Sequence, residues 1–246
     1  MRLSIAVVFL ACQLPLLAQH TSSHWSYDGS QGPTHWGALS PDFALCQSGH
    51  HQSPINITGA KKADLPPLQV DYKPSPLHII DNGHTIMINY SPGSSIRVGD
   101  KQYQLKQFHF HRPSEEEIDG KSYDMSLHLV HADEQGNLAV VAVLLQKGAD
   151  NALIHELWSD LPHEKEHEEQ LDSVQINAKA LLPSDLDYYT FSGSLTTPPC
   201  TENVTWFVLE QPVTISAQEI QQFEKLYRHN SRPVEPLYDR VVLESK

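Results

Sequence analysis

Short runs with a two-residue alternation recur along the chain, and they leave little room for anything but a sheet. Residues 77–80, 84–90, 103–111, 126–131, 139–145, 174–177 and 204–209 are rich in β-branched and aromatic side chains and read as strands. Turn signals separate many of them: Asp81-Asn82-Gly83, Ser91-Pro92-Gly93, Asp119-Gly120 and Glu134-Gln135-Gly136. Helical stretches are few, roughly 150–158, 178–182 and 217–226. Ser216 opens the last, with Glu219 three residues on, the spacing of a capping box. No linker, repeat or low-complexity tract breaks the chain from Gln19 onward, and the 17 prolines scatter through its loops. At 246 residues, length allows one large domain or two small ones. The expectation is a single sheet-dominated α+β domain over 19–246 with short peripheral helices.

The first eighteen residues read as an export signal. Arg2 gives a positive start, 3–10 is almost unbrokenly apolar, and Pro15-Leu16-Leu17-Ala18 ends on the small residue a signal peptidase needs. That apolar stretch is too short to span a bilayer. Leu10-Ala11-Cys12 offers an alternative, lipoprotein-type cleavage with a lipid anchor on Cys12; without it no membrane partner is expected. A periplasmic or secreted location follows. Cys46 and Cys200 then remain in an oxidising compartment, either as one bridge or as two separate buried thiols. The formal charge of -13 argues against a nucleic-acid surface. Fifteen histidines bring metal and proton chemistry forward, because imidazole is both the commonest metal ligand and the group that titrates near neutrality.

The chemistry concentrates between Gln107 and His131. Gln107-Phe108-His109-Phe110-His111 alternates strictly, so a strand puts Gln107, His109 and His111 on one face and the two phenylalanines on the other. The two imidazoles then stand roughly 7 Å apart, two residues of strand rise, and can converge on one ion. Asp119-Gly120 turns the chain back antiparallel, and the returning strand carries His128 on a face with Ser126 and Val130. Three imidazoles from two strands leave one tetrahedral position open, the arrangement of a catalytic zinc site. A second zinc motif, His163-Glu164-Lys165-Glu166-His167, satisfies the H-E-x-x-H metalloprotease pattern. Its flanks are almost wholly charged and proline opens it, so it reads as a solvated acidic surface segment.

The chain resembles the α-class carbonic anhydrases. The matching words are His24-Trp25-Ser26-Tyr27, His35-Trp36-Gly37, Gln52-Ser53-Pro54-Ile55-Asn56-Ile57, Asn82-Gly83-His84, QFHFH at 107–111, Ser114-Glu115, LHLVH at 127–131, Gly193-Ser194-Leu195-Thr196-Thr197-Pro198-Pro199-Cys200-Thr201-Glu202 and Asn230-Ser231-Arg232-Pro233. They run in family order over nearly the whole chain after the signal.

The resemblance implies a central ten-stranded, mostly antiparallel twisted sheet, and zinc-dependent reversible hydration of CO2 to bicarbonate and a proton by attack of zinc-bound hydroxide. It casts His109, His111 and His128 as zinc ligands, Glu115 and Thr196 as the pair that orients the hydroxide, and His84 as the proton shuttle. Val130, Val140, Leu195, Val204 and Trp206 match the apolar wall around CO2, with Thr196 and Thr197 beside it. Gln107 and Asn230 match supports of the first and second zinc histidines, and Cys46 and Cys200 match a disulfide of exported members. Exported bacterial relatives also raise a homodimer. A non-catalytic binding module on the same fold is the other reading, but its kind loses zinc histidines, and all three stand here.

Three positions depart from the family, which usually has histidine after the Ser-Glu pair, glutamate two residues before the third zinc histidine, and tyrosine shortly before the Gly-Ser-Leu-Thr-Thr word. This chain has Glu116, Ser126 and Phe191. The expectation is that Glu116 becomes the partner of His128, with Ser126 bridging or making room and Phe191 closing the site as an apolar wall.

Overall fold

The computed structural model describes residues 24–245; the expected export signal and Cys12 lie outside them. In chain order the strands are β1 (Asn56–Ile57), β2 (Lys61–Lys62), β3 (Gln69–Asp71), β4 (Ser75–Asp81), β5 (Ile86–Asn89), β6 (Ser95–Val98), β7 (Lys101–His111), β8 (Glu117–Ile118), β9 (Met125–Ala132), β10 (Leu138–Lys147), β11 (Glu168–Ile176), β12 (Tyr188–Ser194), β13 (Glu202–Leu209), β14 (Val213–Ile215) and β15 (Leu243–Glu244). Among the described residues four α-helices accompany them: α1 (Trp36–Leu39), α2 (Leu45–Ser48), α3 (Ala152–Ser159) and α4 (Ala217–Leu226). Among the described residues, thirteen strands form one sheet, ten of them on a continuous path ordered β11-β4-β5-β7-β9-β10-β13-β12-β15-β2. The other three branch from it: β14 on β10, β6 on β7, and β3 on β6. The ladders are mostly antiparallel, but β10 runs parallel to both β13 and β14, and β15 to β2. β1 and β8 make a separate parallel pair.

The middle of the sheet is buried on both faces, which explains the continuous apolar run of β10. Ala139, Val141, Val143 and Leu145 point into the larger core with Phe108, Phe110, Leu127, Leu129 and Phe207, covered by α3 and α4. Val140, Ala142 and Leu144 point the other way, to a smaller cluster with Ile55, Val204, Trp206 and Val208. α4 begins with the capping box expected at Ser216 and Glu219, and α3 is capped by Asn151, whose side chain accepts from the N–H groups of Leu153 and Ile154. Residues Ala178–Leu181 form a 3-10 turn rather than an α-helix. Tyr188–Ser194 is a strand that residue types alone did not announce: glycine and two serines dilute its pattern, and pairing with β13 and β15 makes it a strand.

One irregularity decides which way the functional residues face. Tyr103 and Leu105 belong to the larger core, and so do Phe108 and Phe110. Odd and even positions share a face because the pairing of β7 with β9 slips between Leu105 and Gln107. A bulge inserts one residue and reverses the alternation beyond it. Lys106 is that extra residue, and its exposed side chain leaves Gln107, His109 and His111 on the face opposite the larger core.

Candidate metal centre

On β7 and β9, His109 lies directly opposite His128, and His111 opposite Ser126. Ring centroids are 4.9 Å apart for His109 and His111, 5.6 Å for His109 and His128, and 4.6 Å for His111 and His128. One nitrogen from each ring lies within 4.8 Å of the other two, so a single ion can touch all three. His131, in the same sequence word, turns to the opposite face and meets the Tyr72 hydroxyl through Nε2 at 2.8 Å.

Each ring has its other nitrogen occupied. His109 Nδ1 donates to Gln107 Oε1 at 2.8 Å, and His111 Nδ1 donates to the Asn230 carbonyl at 2.8 Å. These bonds fix the tautomer and leave both Nε2 atoms as free acceptors, the form a metal requires. His128 is held in reverse: Nε2 lies 2.8 Å from Glu116 Oε1, and Nδ1 faces inward, 3.8 Å from Glu115 Oε2. Burial pushes His109 down to about 3, with His128 adding to the fall, and takes His111 well below the usual imidazole range. Neutral, buried imidazoles are zinc donors, and His111 Nε2 has no hydrogen-bond partner. The donor set therefore fits zinc: Nε2 of His109, Nε2 of His111 and Nδ1 of His128 would hold it.

Around this triad the other expected residues gather. Glu115 is buried, and burial raises its carboxyl to about 7, with nearby His128 opposing the rise and Glu116 adding to it; the Arg232 N–H and the Thr196 hydroxyl also pull it back. Arg232 N–H donates to Glu115 Oε1 at 2.8 Å. Thr196 sits on a tight loop in which Leu195 N–H bonds the Thr201 carbonyl and Cys200 N–H bonds the Thr197 carbonyl, both at 2.9 Å. A Cys46–Cys200 disulfide anchors that loop. Val140, Val204 and Trp206 form one buried cluster, with Val130 and Leu195 packed against it, and the Trp206 ring stands edge-on to His128 at 5.0 Å. Gly193 makes this packing feasible, since a Cβ there would fall 2.2 Å from Ser53 Oγ and 2.8 Å from Trp206 Cδ1. Phe191 stacks parallel to Trp206, 6.1 Å between centroids.

His84 lies apart, in an open cavity of about 1100 Å³ lined also by His24, Trp25, Arg112, Tyr227 and Arg228. Its ring stacks on Trp25 at 3.7 Å, nearly parallel, with His24 at 6.3 Å. Burial lowers its pKa, and the His24 and Lys165 charges add to the fall against Glu166. The turn carrying it is set by Asn82, whose side chain accepts the N–H groups of His84 and Thr85, and by Gly83 in the left-handed region. Asn230 does more than support His111. Its side chain accepts from Arg112 N–H at 2.8 Å and donates to the carbonyls of His84 and Phe110 at 3.0 Å, tying the end of β7 to the His84 turn.

The decoy stays a decoy: His163, Glu164 and His167 are exposed on a non-helical segment before β11. Two residues gain a place that residue reading did not assign them. Trp25 is the platform for His84, and Arg232 reaches Glu115 through its backbone; neither contact has a local sequence signal, because both link segments far apart in the chain.

The comparisons agree with this geometry. The family profile described as eukaryotic-type carbonic anhydrase matches residues 31–246. A carbonic anhydrase of Pectobacterium carotovorum is 45% identical over 244 residues, covering 98% of each chain. Among solved structures, a hyperthermostable carbonic anhydrase from a hydrothermal vent chimney superposes with a TM-score of 0.88 at 45% identity, covering 91% of this chain and 100% of that one. An α-carbonic anhydrase from Thermovibrio ammonificans, in complex with the inhibitor sulfanilamide, gives 0.87 at 42% identity, covering 92% of this chain and 100% of that one.

Proposed function

Because this chain belongs to the α-carbonic anhydrase family, a family of lyases acting on CO2 and bicarbonate, we propose that it is a zinc enzyme that hydrates CO2 with His84 as its proton relay. The observation that carries this reading is the triad: three imidazoles, each with one nitrogen engaged behind it and the other turned into a common space. Zinc, when bound, supplies Lewis acidity that makes water a nucleophile at neutral pH, the behaviour for which carbonic anhydrase is the standard case.

The chain's own residues account for the rest. The Thr196 hydroxyl donates to Glu115, so its oxygen is left as an acceptor only. It then accepts a hydrogen bond from the attacking oxygen, with no proton transferred, and so aims the lone pair at carbon; such orientation removes entropy from the barrier. Val130, Val140, Leu195, Val204 and Trp206 offer CO2 an apolar wall with no competing hydrogen bonds, and Thr197 borders it. His84, on the cavity side, accepts the product proton and passes it to buffer; burial, which lowers its pKa from the ordinary imidazole value, favours that release. The disulfide supports an oxidising, exported setting, in keeping with cleavage after Ala18.

His128→Ala tests the reading. Two imidazoles leave the site short of a ligand, so both stoichiometric zinc and CO2 hydration should be lost together. Full zinc occupancy in that variant, measured on the same purified sample as activity, would overturn it. The sulfanilamide bound by the Thermovibrio relative is a convenient probe: it should inhibit this enzyme and fail to bind the zinc-free form.

A further inference from the structure

A carboxylate taken fully out of water needs a compensating partner, and Glu116, with 0% of its surface exposed, has an unusual one. Neither of its oxygens receives a directional hydrogen bond; Oε1 instead lies 2.8 Å from His128 Nε2. Ser126 shares the face of β9 with His128, two residues before it, but its hydroxyl does not serve the ring. It accepts the backbone N–H of Glu115 at 3.2 Å. Glu116 is itself held on both sides. The Ser114 hydroxyl donates to the Glu116 carbonyl at 2.9 Å while accepting from Tyr123 N–H at 2.8 Å, and Glu117 N–H bonds the Ile55 carbonyl at 3.3 Å, where β8 joins β1.

We propose that Glu116 is the residue that orients His128 for metal binding, a task moved off the histidine's own strand onto the segment after β7, with Ser114 and the β1–β8 pair as its support. The inference rests on the zinc reading above. A carboxylate on Nε2 keeps the proton there, leaves Nδ1 free as donor, and makes that nitrogen more basic. The serine at 126 fits the same scheme: a carboxylate there as well would put two negative groups against one imidazole.

Zinc affinity of the metal-free protein, measured by competition with a chromophoric chelator, tests this. Glu116→Gln keeps the shape and removes the charge, and should weaken zinc binding by roughly 10–100-fold. The exchange variant Glu116→Ser/Ser126→Glu keeps composition and charge while returning the carboxylate to β9, and should recover most of that loss. Affinity within about twofold of wild type in Glu116→Gln overturns the proposal, as does a loss that the exchange leaves uncorrected, which would make Glu116 a packing residue only. Should Glu116→Gln fail to fold, nitrogen-15 NMR of the wild-type metal-bound protein decides. A protected proton on His128 Nε2 supports the assignment, and a proton on Nδ1 overturns it. Wild-type protein without measurable zinc affinity would instead bring down the zinc reading itself.

Discussion

The imidazoles of this chain differ less in chemistry than in what stands behind each ring. Gln107, a backbone carbonyl and a carboxylate back His109, His111 and His128, whereas His131 is spent on Tyr72. His84 is backed by a tryptophan face and is only partly buried, which leaves it able to exchange protons with solvent. His84→Ala should therefore slow turnover in dilute buffer and regain speed when imidazole is added, because a small buffer then carries the proton the side chain no longer takes. Stopped-flow hydration across buffer concentrations checks this, and rates indifferent to both changes would mean that protons leave by another route.

At the level of elements, the bulge at Lys106 lets one strand serve the core first and the metal site afterwards. Removing Lys106 leaves Leu105, Gln107 and Phe108 in regular alternation with every remaining side chain on its present face. What the deletion takes away is the local bend of the bulge and the Lys106 carbonyl that accepts Tyr90 N–H at 2.9 Å. Deletion of Lys106 should lower the melting temperature while keeping zinc loading, whereas Lys106→Ala, which keeps the backbone, should change neither because the side chain is exposed. Zinc content and thermal melts on the two variants separate backbone from side chain; a melting temperature that falls as far in Lys106→Ala as in the deletion would refute the argument.

Across the whole molecule, distant segments close on the site from outside the sheet. The Cys46–Cys200 bridge, with a sequence separation of 154, joins α2 to the Thr196 loop. Arg232 ties the same region together, donating to the Cys46 carbonyl at 2.9 Å, the Gln52 side chain at 2.9 Å and the Ser53 carbonyl at 2.8 Å. A loop that long puts the chain-entropy contribution of the bridge near 5 kcal/mol as an upper figure. Reducing agent should therefore lower the thermal midpoint, and the intact mass of the exported protein should show no free thiol on these two cysteines. Two free thiols would contradict the arrangement.

The residues by themselves determined the strand-rich class, the face shared by His109 and His111, the capping box of α4 and, through the family words, the list of groups that meet at the site. These are local or one-strand properties: alternation, turn chemistry and capping act within a few residues. Tertiary structure alone decided that Lys106 reverses the phase of β7, that Tyr188–Ser194 pairs as a strand, that Asn230 clamps the His84 turn to the end of β7, and that Trp25 lies under His84. It also set the 2.8 Å approach of Glu116, the partner expected from the departures at 116 and 126, to His128 Nε2. Contacts of this kind join positions far apart in the chain, and their partners are chosen by which surfaces the folded sheet brings within a few ångströms, a quantity that no short stretch of sequence contains.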